Sequence, residues 1–85
     1  MNNLKILITD DHQMFRKGLE MSIKTITRVG NILQAENGLE AMEILEKEPV
    51  DIIFMDIKMP QQNGIETTRL VTKKYPTIKV IALSM

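Results

Sequence analysis

The sequence predicts an α/β domain in which a parallel sheet carries helices on both faces. Short runs rich in Ile, Leu and Val recur along the chain, as in LKILIT at 4–9 and IKVIAL at 78–83. Between them apolar residues return every three or four positions, which is helical spacing. Turn signals punctuate the changeovers at Pro49, Asn63-Gly64 and Tyr75-Pro76. Strands that alternate with helices in this way pair in parallel through crossover connections, and the class is doubly wound.

Leu4 to Thr9 is short, dominated by Ile and Leu, and closed by two aspartates, so it reads as a strand buried on both faces. From His12 to about Thr27 the period changes: Phe15, Leu19, Ile23 and Ile26 define an apolar stripe. Val29 to Ala35 is a second strand. Asn37 with Glu40 three residues on reads as a helix start, for a helix carrying Leu39, Ala41, Met42 and Leu45. Val50 to Asp56 is a third strand, and a third helix follows Asn63-Gly64 to about Lys74, its inner side loosely drawn by Ile65, Thr68, Val71 and Tyr75. Gly64 is expected to supply backbone freedom at its turn. Met14, Met21, Met42 and Met55 fall at or near apolar positions and are expected to fill the core.

Eighty-five residues suffice for one domain, and the 44% hydrophobic and 26% charged balance is that of a chain that folds. Eleven basic and eleven acidic residues cancel, so no net field draws this segment to nucleic acid or to an anionic membrane. The absence of cysteine excludes disulfides and thiolate metal sites. The N-terminal apolar segment is too short for a signal peptide and no run reaches membrane-spanning length, so a cytoplasmic setting is expected.

In doubly wound sheets ligands bind at the carboxyl ends of the strands, near the point where strand order reverses. Asp10 and Asp11 follow the first strand, Asp56 ends the third, and Ser84 follows the fourth, all on one edge. In the flavodoxin-like order the first and third strands are neighbours about 4.8 Å apart, which brings the three carboxylates together. Gathered like charges demand either a proton or a cation. Carboxylate oxygens in an open site suit Mg²⁺, which attracts a phosphoryl group, and a carboxylate can attack phosphorus to form an aspartyl phosphate. The plainer readings are that Asp10 and Asp11 cap the next helix, that Asp56 is a turn residue, and that His12, Lys58 and Ser84 face solvent.

The paired acids in ILITDDH, the run DIIFMDIKMP, the NG at 63–64 and VIALS at 80–84 resemble the receiver domain of bacterial two-component response regulators. The resemblance runs from Leu4 to Ser84. It implies that Asp56 is the phosphoacceptor, that Asp11 ligates Mg²⁺ directly with the backbone carbonyl of Lys58, and that Asp10 is the second acid of the metal site. Ser84 matches the switch hydroxyl. DDHQMFRKGL, with His12, Arg16 and Gly18, is similar to the branch whose receivers precede a LuxR-type helix-turn-helix output domain. The implied partners are a histidine kinase or phosphotransfer protein and an attached or separate DNA-binding output domain.

Against that family pattern the chain stops after its fourth strand, so residues 1–85 read as an incomplete receiver without the last helix, strand and helix. The lysine that ends a receiver's fifth strand has no counterpart, and Lys79 does not fit the position. The fourth strand would then be an open apolar edge, and the sheet face under Phe15 and Leu19 would lack a helix. A dimer or swapped oligomer through that edge is expected. The alternative to a working switch is a degenerate receiver serving only as an interaction module. An Asp-nucleophile phosphohydrolase is disfavoured by the adjacent acids, and a nucleotide-binding fold by the lack of a glycine-rich loop.

Overall fold

The computed structural model describes residues 3–26, 28–58 and 64–83. Its elements are β1 (Leu4–Thr9), α1 (Gln13–Ile23), β2 (Val29–Ala35), α2 (Gly38–Lys47), β3 (Ile52–Asp56), α3 (Gly64–Lys74) and β4 (Lys79–Leu83). The strands form one sheet in the order β2-β1-β3-β4, every pair parallel. This is the expected α/β architecture with β1 and β3 side by side, and the pairing of Thr9 with Met55 carries that neighbourhood to the carboxyl edge.

Alternation along the two central strands builds a core on each face. Leu7, Ile53 and Met55 face α2 and α3, where they pack with Ala35, Ala41, Leu45, Val50 and Val71. Ile6 and Ile8 face the other way, with Ile23 of α1 buried against them and Leu19, Ile52 and Phe54 packed alongside. Leu7, Ile8, Ile53 and Met55 are fully buried. The apolar spelling of residues 6–8 in β1 and 52–55 in β3 thus follows from both faces being covered.

The ends of the helices depend on local chemistry. In α2 the Asn37 side chain accepts from the Glu40 N–H at 2.8 Å, as the sequence suggests, while the Glu40 carboxylate reaches back to the Glu36 N–H at 3.1 Å. In α1 the cap is His12, whose side chain makes no capping bond. That helix ends at Ile23, short of the expected Thr27, which itself lies outside the described residues. Tighter turns replace helical bonding there: Thr25 N–H meets Ser22 O and Ile26 N–H meets Ile23 O. Clustered β-branched residues at 25–27 disfavour continued helix.

Ile26 is consequently exposed and not part of the buried stripe. Met14 and Met21 are not core fillers either: they are 84% and 65% exposed on the outer side of α1, whereas Met55 is buried and Met42 packs against the core. The inner face of α3 is Gly64, Thr67 and Val71, and Ile65 is exposed. Gly64 has an ordinary negative φ, so backbone freedom is not its purpose. A Cβ there would collide with the backbone of Asp56 and Ile57, the latter's Cα lying 2.5 Å away. Glycine is needed for close approach. Val50 is buried but precedes the β3 ladder, and β4 starts one residue later than expected.

Candidate functional site

Two loops at the carboxyl edge are built alike. The Asp10 N–H donates to Ala35 O at 3.1 Å, which continues the β1–β2 ladder by one residue and leaves Asp10 only 4% exposed. Its Oδ1 then accepts the His12 N–H at 2.7 Å. At the end of β3 the half-buried Asp56 repeats the arrangement, its Oδ1 accepting the Lys58 N–H at 2.9 Å. Each aspartate closes its own turn two residues on, a local bond that Asp forms readily. Each therefore stands at a fixed place at its strand tip.

The ligand atoms of Asp10, Asp11, His12 and Asp56 all lie within 4.8 Å of one another. His12 Nδ1 is 3.2 Å from Asp10 Oδ1 and 2.9 Å from Asp11 Oδ1. Burial pushes the Asp10 pKa up and the charge of Asp56 adds to the rise, while the His12 backbone N–H draws it partly back. Two carboxylates about 4 Å apart repel by roughly 4 kcal/mol at an effective dielectric of about 20, a large fraction of a small domain's stability. The fold holds the acids together against that repulsion, with the His12 ring and the His12 and Lys58 backbone N–H groups as their partners.

Beside these groups lies a cleft of about 160 Å³ lined by Asp10, His12, Phe15, Asp56, Lys58 and Leu83. Phe15 and Leu83 give it apolar walls. Arg16 donates through Nε to Gln34 Oε1 at 3.0 Å and through Nη1 to the Asp10 carbonyl, tying the loop after β1 to β2. Sequence reasoning placed Arg16 only within a family-like stretch. Its spacing from Asp10 along the first helical turn was the available signal.

The structure thus brings together Asp10, Asp11 and Asp56, with Lys58 lining the same cleft. Ser84 lies outside the described residues. Lys79 opens β4 opposite Ile52, at the far end of the sheet. His12, read from sequence as a solvent-facing helix start, turns its ring onto both neighbouring acids.

A family model described as the response regulator receiver domain matches residues 6–85. The chain belongs to the receiver domain family. Among curated relatives, this receiver is 40% identical to the transcriptional regulatory protein DegU of Brevibacillus brevis, over 99% of this chain and 36% of that protein. It is 33% identical to the response regulator GacA of Pseudomonas syringae, over 96% of this chain and 38% of that protein. The chain spans little more than a third of the length of these relatives. Among solved structures, the RcsB response regulator of Salmonella typhimurium superposes with a TM-score of 0.91 at 26% identity, over 100% of this chain and 44% of that one. The two component transcriptional regulator AraC of Clostridium phytofermentans gives 0.84 at 35% identity, over 94% and 65%.

The donor set fits the hard divalent cation that receivers use. Its carboxylate oxygens converge, and burial together with the Asp56 charge raises the pKa of Asp10, an environment that a bound Mg²⁺ would relieve. Among the described residues no helix is long and apolar enough to cross a membrane.

Proposed function

We propose that this receiver accepts a phosphoryl group on Asp56 in a Mg²⁺-dependent reaction and works as a signalling switch. The observation that carries the reading is the convergence of Asp10, Asp11 and Asp56 at the tips of two adjacent, buried strands. Asp11, Asp56 and the backbone carbonyl of Lys58 would hold the ion, with Asp10 as the second acid. When bound, Mg²⁺ supplies charge neutralisation for the phosphoryl oxygens.

The rest of the step falls to the chain. The Lys58 N–H orients the Asp56 carboxylate, an oxygen of which is the nucleophile. That oxygen attacks phosphorus as the P–N bond of a phosphohistidine, or the P–O bond of acetyl phosphate, breaks. The bonding electrons leave with acetate in the one case, which stays ionised, and with the histidine nitrogen in the other, where a proton from solvent neutralises the imidazole. Phe15 and Leu83 restrict solvent on the flanks of the cleft. The Ser84 hydroxyl would donate to a phosphoryl oxygen of the product and couple the charge there to the distal face, a population shift with no metabolite turned over.

The donor is a histidine kinase or phosphotransfer protein. The output is a DNA-binding domain, attached or separate. Support for that output comes from the relatives named as transcriptional regulators and from the match to RcsB, which has also been solved as an RcsB–DNA complex. Neutral net charge argues that this segment does not itself contact DNA. The deciding experiment incubates the protein with acetyl phosphate and Mg²⁺ and follows intact mass. A phosphoryl adduct is expected on the native chain and none on Asp56→Asn, and an adduct that survives that substitution would end the reading.

One observation favours a second reading. Among the described residues β4 forms an edge of the sheet with Ile81 and Ala82 exposed, so this chain on its own would dimerise or swap through that edge and act as an interaction module. Light scattering tests it: a compact monomer at high concentration removes this reading and leaves the switch untouched.

A further inference from the structure

The geometry points to His12 as a nitrogen ligand of the acidic pocket, one that lets the site hold borderline first-row transition ions more tightly than Mg²⁺. This rests on the metal pocket of the proposed function and adds to it the residue that sets ion preference. The imidazole Nδ1 stands 2.9 Å from Asp11 Oδ1 and 3.2 Å from Asp10 Oδ1. Adjacent ligand atoms of an octahedral ion bound at about 2.1 Å are themselves about 3 Å apart. Each of the two contacts therefore has the spacing of neighbouring corners of one such shell, and Asp56 lies within the same 4.8 Å span.

The His12 side chain is 72% exposed, so it approaches from the solvent side, where a hydrated ion keeps its waters. Replacing a water by imidazole gains little for Mg²⁺, which prefers oxygen and dehydrates reluctantly. For Ni²⁺ or Co²⁺ the same exchange is favourable, since imidazole suits these ions and affinity at mixed nitrogen and oxygen sites rises along the first row. The backbone supports the placement. Asp10 Oδ1 accepts the His12 N–H at 2.7 Å and so fixes the residue at the rim of the pocket, while the His12 side chain has no capping bond to lose.

The chain contains one histidine, so any imidazole signal from bound metal belongs to His12. Titration calorimetry of the native chain and of His12→Ala with Mg²⁺ and with Ni²⁺, each alone, supplies the test. Ni²⁺ is expected to bind the native chain more tightly than Mg²⁺, and the substitution to lower Ni²⁺ affinity about 10–100-fold, a larger factor than its effect on Mg²⁺ affinity. Equal losses for both ions, or no loss for Ni²⁺, would overturn the inference. A measurement without any variant stands beside it: the Co²⁺-loaded native chain should show paramagnetically shifted imidazole protons by NMR, and their absence would overturn it too. Failure of the native chain to bind Mg²⁺ at all would instead count against the proposed function, so the two failures are distinguishable.

Discussion

The two ends of β3 carry the same residue type in opposite surroundings. Before the strand, Asp51 joins the ladder: its Oδ2 accepts the Lys5 N–H at 2.8 Å, its own N–H donates to Lys5 O, and its carbonyl accepts from Lys79 N–H. The nearby Lys5 ammonium pairs with Glu48 at 3.0 Å. After the strand, Asp56 closes a turn with one oxygen and otherwise faces Asp10 and Asp11. At one end acids meet amides and an ammonium and are satisfied. At the other, three acids share one imidazole, and the proposed cation and phosphoryl chemistry is assigned to that end.

The comparison is broken most directly at Gly64, whose close packing on the Asp56 and Ile57 backbone exists only at the reactive end. Gly64→Ala should destabilise the fold by about 3 kcal/mol or more, the upper range for overpacking against backbone that cannot yield. Urea denaturation would measure it.

Next in size is Asp10→Asn. Removing the second acid should weaken Mg²⁺ binding about 10–100-fold, read by calorimetry. The same change should raise the stability of the metal-free chain at neutral pH. Asp10 titrates near 3.9 when unfolded and higher when folded, chiefly through burial. Its contribution is therefore complete below the unfolded value and is lost as pH rises through the folded one, because the unfolded chain releases its proton first. The metal-free native chain should lose thermal stability over that window, and Asp10→Asn should flatten the slope. A native chain that gained stability across it would show that the acids are already compensated.

At the quiet end the expectations are smaller. Asp51→Ala should cost about 1 kcal/mol, the usual net value of a hydrogen bond, with Mg²⁺ affinity unchanged. A parallel loss of Mg²⁺ binding would mean that the two ends of β3 are coupled. Smallest is Glu46→Gln, which removes the exposed pair with Lys74 at 3.8 Å. Surface pairs contribute about 0–1 kcal/mol, and thermal melting should place this one near the bottom of that range.

How far the chain is legible differs from one element to the next. The Leu4–Thr9 strand keeps its sequence-derived bounds because an apolar run closed by polar residues has few other ways to be buried, and the more mixed Val29–Ala35 keeps its own beside it in the sheet. The Asn37 cap is equally local. Helical stripes are less reliable guides. Met14, Met21 and Ile65 satisfy the spacing yet face outward, because which arc of a helix is covered depends on where the sheet lies beneath it. A single helix covers the α1 face, while α2 and α3 share the other. Gly64 misleads for a related reason: its neighbours in space are the backbone atoms of Asp56 and Ile57, not its neighbours in sequence.

By itself the sequence determined the alternation of strand and helix, the strand tips at which the acids stand, and the membership in a family that uses such acids. These follow from burial, period and turn chemistry, all of which act over a few residues. Tertiary structure decided that the strand order expected from the sequence is the one formed, so that Asp10, Asp11 and Asp56 share one pocket, and that the His12 ring turns back onto Asp10 and Asp11. It also decided that Arg16 anchors the loop from a turn away. The distance from Asp56 to the acids of the first loop is set by the order in which strands pair, a property of the packed sheet as a whole, whereas the His12 and Arg16 contacts are local.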